Sequence, residues 1–166
     1  MAEKAGNPGP VLGVAMMAPR LAKAGKNAAT GGYRNATFRR GEIEPLPVAG
    51  PSVDRVGAHA VRHLAPEKGR VDRAAFRLLR PGGRSADSDG GATRPISPRE
   101  WADPTRWPSG GSGAREVPAA PSLLGRAGLR GLRVDLRSTG TAFGFLGDPD
   151  SHGIVSADIR ATEPRG

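Results

Sequence analysis

The sequence predicts a mostly disordered, low-complexity chain carrying a short αα-hairpin at about 52–80 and a marginal three-stranded β meander at about 132–161. Three observations predict it. Leu, Ile, Val and Phe supply 30 of the 166 residues, under the roughly 20% below which a core is hard to build. Gly and Pro supply 41, at the edge of the low-complexity range of about 25–30%. Seven aromatic residues leave few large anchors. Ordering each residue costs about 1–2 kcal/mol of backbone entropy, which only buried apolar area can offset.

Residues 1–51 read as a basic, disordered N-terminal region, because Gly and Pro interrupt every short period. "VLGVAMMA" is too short for a secretory core and is closed by Pro19. No acidic residue lies between Glu3 and Glu42, a balance like that of a mitochondrial transit peptide. The same Gly and Pro residues would break the helix such a peptide needs. The chain is expected to be soluble and intracellular, with mitochondrial import as the alternative and no membrane span.

Residues 52–80 are the candidate hairpin. Val53, Val56, Ala60, Val61 and Leu64 fall at helical spacing behind Ser52 as a cap, and Pro66 ends the run. In a second helix, Val71, Ala74, Ala75, Leu78 and Leu79 form one stripe, with Arg70, Arg73, Arg77 and Arg80 beside it. "PGG" at 81–83 is read as the stop. The Gly/Pro/Ser-rich stretch 81–120 is a linker on composition.

Residues 121–166 are the candidate β module. Leu132, Val134 and Leu136 alternate with Arg133, Asp135 and Arg137, a strand pattern. "TAFGFLG", with Phe143 and Phe145, could return. Val155, Ala157 and Ile159 share one face of a third strand.

The absence of Cys excludes thiolate nucleophiles and Cys-ligated metal within these residues. His59 and His63 stand four apart on the expected helix, but "HAVRH" lacks the Glu of a zinc-protease motif. Asp148, Asp150, His152 and Gly153 open like a calcium loop, yet its twelfth position is Ile159. Gly25 and Lys26 lack the second Gly and the hydroxyl residue of a phosphate loop. No metal, cofactor or catalytic residue is expected, and the chain is read as non-enzymatic.

The formal net charge is +9, all of it carried by residues 1–84. The functional expectation is therefore low-specificity binding of nucleic acid or another polyanion. Its contacts would be Tyr33, Arg34, Phe38, Arg39 and Arg40, where aromatics interleave with guanidinium groups, and Arg70, Arg73, Arg77 and Arg80. One alternative is a protein–protein adaptor that lays the face of Val71, Ala74, Ala75, Leu78 and Leu79 in a partner's groove. Another is a frame translated from GC-rich DNA without an evolved role, since Gly, Ala, Arg and Pro make 87 of 166 residues. Ser97, before Pro98, is a candidate phosphate acceptor.

Overall fold

The computed structural model describes residues 2–6, 9–106, 113–137 and 153–164, and it overturns the disordered, low-complexity class. The chain forms two compact units, Met1–Pro47 and Val48–Gly166.

The first unit is a β–α–β arrangement. After the short helix α1 (Ala2–Ala5) come β1 (Val11–Ala15), α2 (Ala18–Thr30) and β2 (Ala36–Arg40). The strands are parallel, with Val11 opposite Ala36 and Ala15 opposite Arg40. The residues that read as breakers are punctuation here. Pro10 precedes β1, Pro19 lies in the first turn of α2, where its missing N–H costs nothing, and Gly32 takes φ +68° just beyond the helix end. Asn35 donates to the carbonyls of Ala2, Gly6 and Gly9 at 2.9–3.1 Å, tying the leading segment to the strand end.

The second unit is a mixed five-stranded sheet with helices. Its elements are β3 (Val53–His59), a 3-10 turn (Arg62–Leu64), α3 (Lys68–Leu78), β4 (Leu79–Ala92), α4 (Pro98–Ala102), β5 (Arg115–Glu116), α5 (Ala120–Arg126), β6 (Arg130–Arg137) and β7 (Ile154–Thr162). The strand order is β3-β4-β7-β6, with β5 beside β4. β3 and β4 run parallel, whereas β7 is antiparallel to both β4 and β6. Because β7 lines β4 from Arg84 to Ala92 and β3 pairs it only as far as Ser88, β5 continues the β3 side at Gly91 and Ala92.

The αα-hairpin is corrected. Its first half is a strand, because β3 carries a register shift between Val53 and Arg55. The shift lets Val53 and Val56, three apart, both pack on the core, which imitates helical spacing in the sequence. Its second half is helix α3, whose stripe Val71, Ala74, Ala75 and Leu78 is buried. The linker expected at 81–120 is also corrected: it contains most of β4, then α4 and β5. The independent three-stranded meander does not stand either. β6 and β7 are strands of the larger sheet, and Phe143 and Phe145 lie outside the described residues.

The core gathers Leu79, Leu124, Leu129, Ala157, Ile159 and Ala161, with Val53, Val56, Phe76, Leu132 and Val134 packed against them. Small residues let the layers approach. A Cβ on Gly91 would stand 2.8 Å from Val117 and 2.9 Å from Ala157.

Candidate functional site

A polar cluster is buried where β3 ends beside β4. The carboxyl ends of parallel strands are where open α/β sheets bind ligands. The chain leaves β3 through Ala60, whose φ of +50° is uncommon for a residue with a Cβ. That conformation is held by the Ala60 amide donating to the Ser88 carbonyl at 2.9 Å. It directs the next three amides at one carboxylate. Oδ2 of Asp89 accepts from the N–H groups of Val61, Arg62 and His63 at 3.1, 2.7 and 3.3 Å. Oδ1 of Asp89 accepts from the Gly90 amide at 2.7 Å and lies 2.6 Å from His63 Nδ1.

Arg62 turns the other way, with Nη1 on Asp72 of α3 and Nη2 2.9 Å from Asp87 of β4. Arg115 of β5 reaches both oxygens of Asp72 through Nη2, at 2.9 and 3.0 Å. Arg62, His63, Asp72, Ser85, Asp87, Asp89 and Arg115 are all buried. Buried charges persist only when paired, and four segments supply the pairs. Satisfaction is incomplete: Arg62 Nε, Ser85 Oγ, Asp87 Oδ1 and Arg115 Nη1 are buried without a hydrogen-bond partner.

The two β4 carboxyls are pushed in opposite directions. Burial raises the pKa of Asp87, and the nearby Arg62 and Arg115 only partly counter it. Burial also opposes ionisation of Asp89. There the hydrogen bond and charge of His63, with the amides of Gly90 and Arg62, outweigh it and hold the carboxyl below its usual range. Two carboxyls of one strand, with environments that separate them, mark a functional-site candidate.

The expected contact residues lie elsewhere. Phe38 packs its ring where a Cβ on Gly13 would come within 2.6 Å, and Tyr33 does the same at Gly31. Each ring therefore lies against a glycine of its own unit. Arg39 donates to the Pro47 carbonyl at 3.3 Å, and Arg34 and Arg40 are exposed. Arg70 pairs with Glu67, Arg77 donates to the Val48 carbonyl, Arg80 pairs with Asp54, and Arg73 is exposed. The intended partner face of Val71, Ala74, Ala75, Leu78 and Leu79 is packed inside its own unit, so it offers nothing to a groove. Ser97 caps α4 by accepting from the Glu100 amide at 3.2 Å, while Glu100 accepts from the Ser97 amide. His59 ends β3 at the surface while His63 is buried, so the pair does not share a helix face. Asp148, Asp150 and His152 lie outside the described residues. Among the described residues no group of three acidic or His side chains is arranged for a metal ion, and no helix is long and apolar enough to cross a membrane.

The sequence reading passed over Asp72, Asp87, Asp89, Arg62 and Arg115. One signal was present: Ser85, Asp87 and Asp89 recur with period two, a strand alternation written in polar residues.

Comparisons with known proteins match this architecture. An arsenite methyltransferase of Halobacterium salinarum is 37% identical over 98% of this chain, and one of Aquipseudomonas alcaligenes is 39% identical over 58%. The chain spans 42% and 30% of those two proteins. Among solved structures, an arsenic(III) S-adenosylmethionine methyltransferase from Chlamydomonas reinhardtii is 26% identical, covers 96% of this chain and 56% of its own, and superposes with a TM-score of 0.77. These likenesses overturn the expectations of a non-enzymatic polyanion binder, a groove-binding adaptor and a frame without an evolved role. The family model that matches residues 1–104 is described as a methyltransferase domain, and the chain belongs to that family.

Proposed function

We propose that the second unit carries the acceptor side of an S-adenosylmethionine-dependent methyltransferase. The observation that supports this most is the β3–α3–β4 unit, whose parallel strands end at the cluster around His63, Asp87 and Asp89. Ligands of open α/β sheets bind at such ends.

The donor side fits less well. A nucleoside cofactor on this kind of fold is held by a glycine-rich turn and by an acidic side chain on its ribose hydroxyls. β1 ends in Ala15 and is followed by Met16 and Met17, both exposed. Asp87 and Asp89 are committed to Arg62 and His63. The described residues therefore form no complete adenosylmethionine site.

Arsenic(III) is the acceptor in the names of three relatives. It is a soft centre that prefers thiolate ligands, and these 166 residues contain no Cys. Thiolates for arsenic would have to come from elsewhere.

The test is calorimetric binding of S-adenosylmethionine to the full chain and to Ala15→Asp. Placing a carboxylate at the end of β1, where Ala15 stands, should tighten binding by about 10-fold, the worth of one charge-assisted hydrogen bond. Heat of binding in neither protein would sink the proposal.

A further inference from the structure

We infer that the outer face of the second unit's sheet docks an acidic α-helix of another polypeptide. Nothing in this surface depends on methyl transfer.

Strand alternation defines the face. Val56, Val134, Ala157, Ile159 and Ala161 point into the core, and Phe76 of α3 and Leu124 of α5 pack on that side. Their neighbours along each strand point the opposite way. Arg55 of β3 thus stands across from Arg84 of β4, and Arg160 of β7 across from Arg133 of β6. A register shift between Arg130 and Arg133 returns Arg130 to the same face, across from Thr162. All five arginines are exposed.

Two features separate this face from an ordinary solvated one. Like charges directly opposite each other in a sheet cost stability, and here they occur twice, Arg55 with Arg84 and Arg133 with Arg160. Arg160 engages Asp135 at 3.0 Å and Asp158 at 3.8 Å. Arg55, Arg84 and Arg133 have no ion pair among the described residues. An arriving anion would relieve both repulsions. The second feature is that β3 and β4 run parallel, and parallel strands are ordinarily covered by helices on both faces.

Carboxylates are the matching chemistry, since a guanidinium takes them bidentately. Gly57 and Ala86 are the next positions of this face along β3 and β4, and both are small and exposed. They let a helix lie close over the two strands. Helix side chains one turn apart stand about 6 Å from each other, near the roughly 6.6 Å between successive rows of the face. One carboxylate would meet Arg84 and the next Arg160.

Other occupants fit less well. A second copy brings the same net charge of +9. A membrane would need apolar anchors, and a single nucleic-acid strand would need aromatic ones. Between the arginines stand Gly57, Ala86, Ser88 and Thr162 instead.

The test is fluorescence anisotropy of a labelled, alanine-based peptide added to the full chain. The peptide is about 20 residues long, enough for a helix, with glutamates four apart on one side. Its binding should weaken steeply as salt rises from about 0.05 to 0.3 M. Arg55→Glu combined with Arg84→Glu should weaken it more than about 10-fold and transfer the preference to a peptide with lysines in place of the glutamates. A peptide of the same composition with its glutamates spread around the helix should bind at least about fivefold more weakly. Should the double variant fail to fold, amide shifts of the parent chain decide. Peptide-induced changes at Arg55, Arg84, Arg133 and Arg160 support the docking face. Changes confined to α2, where Lys23 and Lys26 are also exposed, overturn it. So do absence of binding, equal binding of the two glutamate peptides, indifference to the charge reversal, or tighter binding of a DNA duplex or of phosphatidylserine vesicles.

Discussion

Strands β1 and β4 exchange the places their sequences suggest. β1 reads Val-Leu-Gly-Val-Ala, a continuous apolar run, yet every one of its residues is only half-buried. None of the described residues of its unit is fully buried, and Met16 and Met17 stand about 60% exposed just beyond it. β4 reads Gly-Arg-Ser-Ala-Asp-Ser-Asp-Gly-Gly-Ala over 83–92, almost without apolar side chains, and lies at the centre of its sheet with Ser85, Asp87 and Asp89 buried. Hydrophobicity sets the gain available from burial. Whether a strand is buried depends on what packs against it, and polar inward positions are tolerated when other segments bring the matching charges.

That comparison can be broken at its strongest point. Asp72 is fully buried between Arg62 and Arg115, and Asp72→Ala would take from Arg115 the carboxylate it grips and leave Arg62 with Asp87 alone. The expected loss is about 3–5 kcal/mol in urea unfolding of the full chain. A loss below about 1 kcal/mol would mean that water, not Asp72, satisfies the arginines.

A middle-sized effect sharpens it through pH. Asp89 has its folded pKa lowered, so its contribution to stability is complete above the ordinary aspartate range. It disappears as pH falls through the lowered folded value. Asp89→Asn should be less stable than the parent by roughly 1–3 kcal/mol at neutral pH, and the two unfolding curves should converge in strong acid. Asp87 runs against this, because a raised carboxyl pKa costs stability as pH climbs through it. A gap between parent and variant that does not change from pH 7 to 2 would remove Asp89 from the account.

The smallest effect belongs to the first unit. Leu12→Ala removes a half-buried side chain and should cost under about 1 kcal/mol, read as hydrogen exchange of the β1 and β2 amides. A cost in the range of about 2–5 kcal/mol, typical of a core leucine, would show β1 to be interior after all.

Local pattern was readable in part. The stripe of Val71, Ala74, Ala75 and Leu78 is helical because its apolar groups recur once per turn. The alternation of Leu132 with Val134, and of Val155, Ala157 and Ile159, appears in β6 and β7. The candidate site was not readable. Asp87 and Asp89 sit in a stretch that resembles a linker, Asp72 sits on a helix, and the side chains that pair across the site stand 10 to 43 positions apart.

By itself the sequence determined the period of α3, the pleat of β6 and β7 and the absence of any thiolate, because each depends on neighbours in the chain or on composition alone. Only the tertiary structure decided that residues 53–59 are a strand rather than a helix, since a register shift against β4 sets the spacing of Val53 and Val56. It alone decided that Asp87 and Asp89 are interior and opposed in acidity. The physical reason is long-range: a buried charge is bearable only where Arg62, His63 and Arg115 arrive to meet it, and no local pattern records that meeting.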